Sequence, residues 1–180
     1  MILKTLEYAE RGLDYLARFA AFISALAVSS IIVVICVSVF MRRVASTPLY
    51  YGEELVGLLL SVTMMCALPL VTKRGAHIRV TLVVNYLSER GQALMALFAI
   101  LVSLTFFLWM LWEAVPWMEF AMRLDIKSEV AAIPLVPWMM VFPAMFSLTA
   151  LILAVQFLRN LAQILLGGPQ DHGTQTGGHN

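Results

Sequence analysis

The chain has 180 residues, of which 61% are hydrophobic and 13% are charged, and its formal net charge is +1. Soluble domains carry roughly 45–50% apolar and about 25% charged residues, so this composition excludes an ordinary soluble domain. A membrane-spanning helix needs about 20 mostly apolar residues. Four runs without Lys, Arg, Asp or Glu meet this requirement, at 19–41, 55–72, 92–112 and 133–158. The sequence therefore predicts an all-α integral membrane protein with four transmembrane helices.

Residues 1–18 predict a separate amphipathic helix that lies along the membrane surface. Apolar residues recur there at steps of three and four, and the pairs Glu7–Arg11 and Asp14–Arg18 place opposite charges one helical turn apart. We expect this helix to end where the chain turns into the first span near Phe19. This helix and the shorter one predicted in the connection at 73–91 either anchor the chain at the membrane or brace a neighbouring protein, and the sequence leaves both alternatives open. No signal peptide is predicted, because the apolar run that follows is too long for one.

Small residues at steps of four predict a helix-packing face along the first helix. The face consists of Ala17, Ala21, Ala25 and Ser29. Its partner is either another helix of this chain or a helix of a second protein, and the sequence leaves both alternatives open.

The loop at 42–54 carries a group of four charges at the edge of the predicted membrane region. Arg42 and Arg43 end the first span, and Glu53 and Glu54 begin the second. One explanation is electrostatic, because the helix dipole favours arginine at a C-terminus and glutamate at an N-terminus. The other is that these side chains pair with each other or with a protein that docks at this face.

The connection at 73–91 is basic, with a net charge of +3, and contains His77. Its apolar spacing predicts a short amphipathic helix that ends near Gly91. His77 is either an interfacial or capping residue or a proton carrier. The surrounding basic residues favour the first interpretation, because such clusters mark the cytoplasmic side of a membrane.

The connection at 113–132 contains no clear spanning run, and we expect it to lie along the membrane surface. Pro137 is predicted to open the fourth helix, whereas Pro143 and Pro69 are predicted to kink the helices that contain them. The segment 159–180 is predicted to leave the membrane and to end in a disordered, Gly-rich tail.

The distribution of basic residues predicts that both termini are cytoplasmic. The side formed by the N-terminal segment, the connection at 73–91 and Arg159 holds eight Lys and Arg residues, whereas the other side holds four. The four tryptophans lie toward the ends of helices on that other side, as expected for an aromatic belt at the outer interface. They are Trp109, Trp112, Trp117 and Trp138.

The chain shows no pattern typical of an enzyme, a metal or cofactor site, or a nucleic-acid-binding surface. No predicted span carries an ionisable residue in its middle third, where ion-coupled carriers generally place one. A self-sufficient small carrier is therefore disfavoured. We expect no catalytic, substrate-binding or ion-binding residue in this chain.

The order of several local patterns resembles the small membrane subunit of tripartite ATP-independent periplasmic (TRAP) transporters. The resemblance covers about residues 10–160. The first helix ends in arginine and is followed by a proline and an aromatic-x-Glu-Glu-Leu element. A Gly-x-His-Ile-x-Val stretch comes next. A serine then precedes an apolar stretch with a proline, and a further proline lies within the fourth helix. The corresponding residues are Arg42, Arg43, Pro48, Tyr51, Glu53, Glu54, Leu55, Gly75, His77, Ile78, Val80, Ser128, Pro134 and Pro143.

The resemblance implies a scaffold subunit in a bacterial inner membrane. Its partners would be a large permease subunit that holds the sodium and substrate sites, a periplasmic protein that captures an organic acid, and membrane lipids. Arg42, Arg43, Glu53 and Glu54 would lie near the docking surface, and His77 would be structural. The alternative is an anchor or accessory subunit of another inner-membrane complex.

Overall fold

The computed structural model describes residues 2–44, 51–74, 89–129 and 131–166. These residues form four helices, α1 (Ile2–Val44), α2 (Gly52–Lys73), α3 (Glu89–Leu124) and α4 (Val136–Leu166). Each contains a segment long and apolar enough to cross a membrane. The predicted all-α fold with four spanning helices is therefore confirmed.

Helix α1 is continuous from Ile2 to Val44, so the turn predicted near Phe19 is wrong. No proline interrupts this part of the sequence, and its apolar residues keep a helical spacing across the expected boundary. At about 1.5 Å per residue, the helix is roughly 64 Å long, about twice the thickness of the hydrocarbon core. One helix thus provides both the amphipathic segment and the first span. Whether its first turns lie along a membrane surface stays a prediction.

Helices α3 and α4 also extend beyond their predicted bounds. Helix α3 begins at Glu89 and runs through Pro116 to Leu124, so most of the predicted connection at 113–132 belongs to this helix. The short amphipathic helix predicted between the basic cluster and Gly91 lies largely outside the described residues, and its end stays a prediction. Prolines are tolerated inside membrane helices, and the apolar residues around Pro116 maintain the helix. Helix α4 continues to Leu166, well past the predicted end at residue 158, and Pro137 lies in its first turn as predicted.

The helices alternate in direction and pack as two hairpins. Helix α1 packs against α2, α3 packs against α4, and α4 joins the hairpins by contacting both α1 and α2. We call the end that holds Glu10, Lys73 and Arg159 the termini end. The opposite end, which holds Glu54 and Leu124, is the hairpin end.

Two small clusters of buried side chains hold the helices together. In the first, Leu13 and Ala17 of α1 pack against Ile152 of α4. In the second, Phe107 of α3 packs against Ala150 and Leu153 of α4, together with half-buried residues of α2 and α3. Helix α4 contributes to both clusters and is therefore central to the packing.

The packed face of α1 differs from the predicted stripe of small residues. Ala17 is fully buried and Ala21 is half-buried, but Ala25 and Ser29 are exposed. Steps of exactly four rotate by about 40° each around a helix with 3.6 residues per turn, so the stripe drifts off the contact. The observed buried face alternates steps of four and three. It consists of Leu13, Ala17, Ala20, Ser24 and Ala27.

A polar contact reinforces this face. The Ser24 hydroxyl donates a hydrogen bond to the Thr63 carbonyl oxygen of α2, at 2.9 Å. The other faces of α1 and α3 expose many large apolar side chains, among them Phe22, Ile32, Phe98 and Trp109. Exposed apolar faces of this extent are typical of contact with lipid or with a second membrane protein.

Candidate functional sites at the two ends of the bundle

A cluster of charged side chains joins three helices at the termini end. Lys73, the last residue of α2, forms an ion pair with Asp14 of α1 at 2.5 Å. Its ammonium group also donates a hydrogen bond to the Glu10 carbonyl oxygen, at 3.4 Å. Both side chains of the ion pair are about one-quarter exposed (27% and 26%). Lys73 therefore fixes the end of α2 to α1 in a partly protected setting.

Helix α4 joins the same cluster through two side chains. Arg159 contacts both carboxylate oxygens of Glu10, at 3.3 and 3.2 Å. Gln156 donates a hydrogen bond to the Lys73 carbonyl oxygen, at 3.4 Å. Arg18 makes a further ion pair with Asp14 within α1, at 2.8 Å, but is itself largely exposed. We call Glu10, Asp14, Lys73, Gln156 and Arg159 the polar clamp.

The sequence did not predict the polar clamp. Its members come from three helices that are distant along the chain, and no local spacing brings them together. The sequence does indicate that these residues lie at one end of the bundle, because the distribution of basic residues places Lys73, Arg159 and the N-terminal segment on the same side of the membrane. Within the clamp, acids and bases compensate each other, which points to structural fixation rather than catalysis.

The predicted docking residues at the hairpin end do not share one environment. Arg42 and Arg43 lie in the last turn of α1, and Glu53 and Glu54 lie in the first turn of α2. Both arginines and Glu53 are exposed, whereas Glu54 is half-buried. Within the described residues, no ion pair joins either arginine to Glu53.

Glu54 instead reaches across to the α3–α4 connection. Its Oε2 atom accepts a hydrogen bond from the Ala131 backbone N–H, at 2.9 Å. A carboxylate that accepts from a backbone N–H forms a charge-assisted bond, which is stronger than one between neutral groups. Glu54 therefore links the two helical hairpins at this end of the bundle.

The α3–α4 connection is itself a compact hairpin, formed by residues 125–129 and 131–135. Ser128 donates its backbone N–H to the Ile133 carbonyl oxygen at 2.9 Å, and Leu135 donates to the Ile126 carbonyl oxygen at 3.0 Å. Lys127 and Pro134 form an isolated antiparallel bridge between these bonds. We call this segment the outer hairpin.

An open groove lies between α3 and α4 toward the hairpin end. It has a volume of about 280 Å³ and is lined almost entirely by apolar side chains, including Trp117, Met139 and Phe146. Glu113 is the one charged residue of the lining, and its side chain is exposed. The groove holds no set of polar groups that would orient a small ligand.

Some of the remaining predicted motif residues lie in the described part of the chain, and the others lie outside it. Tyr51 precedes α2, and its carbonyl oxygen accepts a hydrogen bond from the Leu55 N–H at 3.1 Å. Pro143 lies inside α4, and the buried Ser128 hydroxyl has no partner among the described residues. Pro69, which was predicted only as a kink position, lies inside α2. Four motif positions, together with Pro48, lie outside the described residues. They are Gly75, His77, Ile78 and Val80.

No group of three or more His, Cys, Asp or Glu side chains that could hold a metal ion occurs in the described part of the chain. The charged side chains of the four helices lie toward the helix ends, outside the long apolar stretches. The two ends of the bundle, rather than its interior, therefore carry the polar groups available for interaction.

Comparison with known protein families identifies the chain. Residues 31–163, more than half of its length, match the family described as "Tripartite ATP-independent periplasmic transporters, DctQ component". The chain belongs to this family. It is a small membrane subunit of a TRAP transporter, and the resemblance found in the sequence is confirmed. A search of curated proteins returned no match.

Membership in the DctQ family makes this a transport component and not a member of a known enzyme family. Together with four helices of spanning length, it indicates a multi-pass protein of the inner membrane. The matched region contains the last part of α1, all of α2 and α3, and most of α4. Both Glu54 and the outer hairpin lie inside it.

Proposed function

We propose that this DctQ subunit is the membrane scaffold of a sodium-coupled importer of an organic acid. Its partners are a large permease subunit that binds sodium and substrate, and a periplasmic protein that captures the substrate. The observation that carries the proposal is the family match over residues 31–163. The sodium coupling, the carboxylate substrate and the two partners are what this family assignment implies.

The distribution of charge supports a scaffold role. The apolar stretches 19–41, 55–72, 92–112 and 136–158 contain no Asp, Glu, Lys or Arg. A carboxylate substrate within the membrane needs a cationic or hydrogen-bonding site, and ionisable residues inside a membrane generally mark such pathways. The lack of charged side chains in these stretches favours a site in the permease subunit.

The exposed apolar faces of α1 and α3 support a membrane partner. Helix α3 makes its close helix contacts with α4, and no close backbone approach joins it to α1 or α2 among the described residues. Much of its surface is therefore available to lipid and to the permease subunit. Ala25 and Ser29, which are exposed on α1, provide small side chains at which a partner helix can approach closely.

The proposal includes the orientation of the bundle. The termini end faces the cytoplasm and the hairpin end faces the periplasm, because the termini side carries twice as many basic residues. The test uses single cysteines at Arg43→Cys and Arg159→Cys in a chain whose Cys36 and Cys66 are replaced by serine. In intact spheroplasts, a membrane-impermeant maleimide should label position 43 alone. Labelling of position 159 alone would reverse the orientation.

Co-purification and transport test the function itself. A tagged chain expressed with its neighbouring genes should retain a much larger multi-span protein in stoichiometric amount after mild detergent extraction. Liposomes that contain both membrane proteins should take up an organic acid only with an inward sodium gradient and the periplasmic protein. Uptake by the small subunit alone would contradict the scaffold role. Co-purification with a redox or secretion assembly would instead support an anchor subunit of another complex.

A further inference from the structure

We propose that the outer hairpin is a docking surface for the periplasmic binding protein, and that Glu54 positions this hairpin without touching the partner. This inference rests on the proposed function and on the proposed orientation. Glu54 is thereby given a positioning role rather than a contact role, because its Oε2 atom accepts a hydrogen bond from the Ala131 backbone N–H of the hairpin.

The outer hairpin is held in a fixed shape by its own backbone. Besides the two hydrogen bonds between its arms, the Ile126 N–H donates to the Ala121 carbonyl oxygen at the end of α3, at 3.4 Å. At the other arm, the Trp138 and Met139 N–H groups donate to the Leu135 carbonyl oxygen at 3.1 and 3.0 Å, as α4 begins. The hairpin is therefore continuous with both helices and presents its side chains in a defined arrangement.

Exposure alternates along the first arm of the hairpin. Ile126 and Ser128 are half-buried, whereas Asp125, Lys127 and Glu129 between and beside them are exposed. Lys127 lies on the extended part of this arm, where successive side chains point to opposite sides. Asp125 has a left-handed φ of 43° where α3 ends, and Glu129 lies in the turn of the hairpin, so the three charged residues are grouped by their exposure. Lys127 and Asp125 also pair with each other, at 3.3 Å. The result is a stripe of alternating negative, positive and negative charge.

The charge of this stripe favours a soluble protein over a membrane surface as its partner. Segments that bind membranes through their charge are rich in Lys and Arg, because lipid surfaces are negative. The stripe has two acids and one base, so an anionic membrane does not attract it. Alternating charges instead define a register that a protein with the complementary pattern recognises.

Glu54 holds this surface in place from the other half of the bundle. It lies in the first turn of α2, 77 residues before Ala131, and its Oε2 atom accepts a hydrogen bond from the Ala131 N–H at 2.9 Å. Ala131 lies on the second arm, close to the stripe, and is followed by Ala132 with a left-handed φ of 51°. The carboxylate thus fixes an irregular part of the hairpin relative to α2 while it is itself half-buried.

Glu54 and its exposed neighbour Glu53 provide a matched set of variants. Glu54→Gln keeps an oxygen acceptor at the same position, Glu54→Ala removes it, and Glu53→Ala removes an exposed acid next to it. Lys127→Glu reverses the central charge of the stripe on an exposed side chain, so folding is expected to be retained. Each variant would be made in the complete membrane complex, reconstituted in nanodiscs and in liposomes.

The measurements are the dissociation constant of the periplasmic protein and the rate of uptake at increasing concentrations of that protein. Lys127→Glu and Glu54→Ala should raise both the dissociation constant and the half-saturating concentration about tenfold, with the maximal uptake rate unchanged. Glu54→Gln and Glu53→Ala should stay within about twofold of the wild type. The Lys127 effect should also depend on salt, as expected for charges at a protein interface.

Several results would overturn this inference while the proposed function stands. If Lys127→Glu binds the periplasmic protein as well as the wild type does, the outer hairpin is not the docking surface. If Glu54→Gln is as weak as Glu54→Ala, the charge matters rather than the hydrogen bond to Ala131. Uptake that does not require the periplasmic protein at all would instead remove the proposed function.

Discussion

The two ends of the bundle use charged side chains in opposite ways. At the termini end, Asp14 and Glu10 are paired with Lys73 and Arg159, so the charges of three helices are turned toward each other. At the hairpin end, one carboxylate binds a backbone N–H, and the charges of the outer hairpin face outward. The contrast indicates that the first end fixes the helices and the second presents a surface.

The largest effect is expected where the helices cross near the termini end. Ala17→Leu adds a larger side chain at a fully buried position, and overpacking of this kind typically costs about 1–3 kcal/mol. Thermal unfolding of the purified chain in detergent measures this loss. Ala25→Leu is the control, because Ala25 is exposed, and it should leave the stability of the chain unchanged. Equal destabilisation by both variants would contradict the observed packing face.

The polar clamp should come next. Lys73→Met removes the ion pair with Asp14 and the hydrogen bond to the Glu10 carbonyl oxygen. Since both side chains of the ion pair are partly exposed, we expect a loss of about 1 kcal/mol in unfolding free energy. Arg18→Met removes the exposed partner of the same carboxylate and should cost less than about 0.5 kcal/mol. A larger effect of Arg18→Met would show that Lys73 is not the main partner of Asp14.

The contact from α4 to the clamp should be weaker. Arg159 is 46% exposed where it meets Glu10, so Arg159→Gln should cost about 0.5 kcal/mol at low ionic strength. The difference from the wild type should shrink as salt is added, because exposed ion pairs are screened. Unfolding measured at low and at high salt checks both statements. A large loss that salt does not alter would indicate that this contact is buried when the protein is assembled.

The smallest effect is expected at the hairpin end. Arg123 and Glu119 are 3.8 Å apart on one face of α3, and their side chains are 81% and 54% exposed. Arg123→Gln should therefore change the unfolding free energy by less than about 0.3 kcal/mol. If this variant destabilises the chain as much as Lys73→Met does, the contrast between the two ends is wrong.

The four membrane helices could be predicted because each is encoded in one continuous apolar run. Their ends could not, because the sequence around Phe19 and Pro116 lacks a signal strong enough to stop a helix whose apolar spacing continues. Steps of four identified Ala17 but also selected Ala25, which lies off the contact. Only the position of α2 and α4 around α1 decides which side of that helix is buried.

The functional residues show the same difference between what the local sequence predicts and what depends on helix packing. Arg42, Arg43, Glu53 and Glu54 were recognised as charges at a membrane edge, since sequence position alone shows this. The bond from Glu54 to Ala131 and the pairing of Glu10 with Arg159 were not predicted. They join residues 77 and 149 positions apart, and such contacts depend on how the helices pack rather than on any local pattern.

The uninterrupted course of α1 gives the subunit a mechanical property. The polar clamp holds α1 at the termini end, and Arg42 and Arg43 lie at its hairpin end. No proline interrupts the helix between these two points. From Asp14 to Arg43 the helix is a rod of roughly 44 Å, so a change of about 5° in its tilt at the clamp shifts Arg43 by about 4 Å. A change in packing around the clamp would therefore displace Arg42 and Arg43 at the opposite end of the bundle.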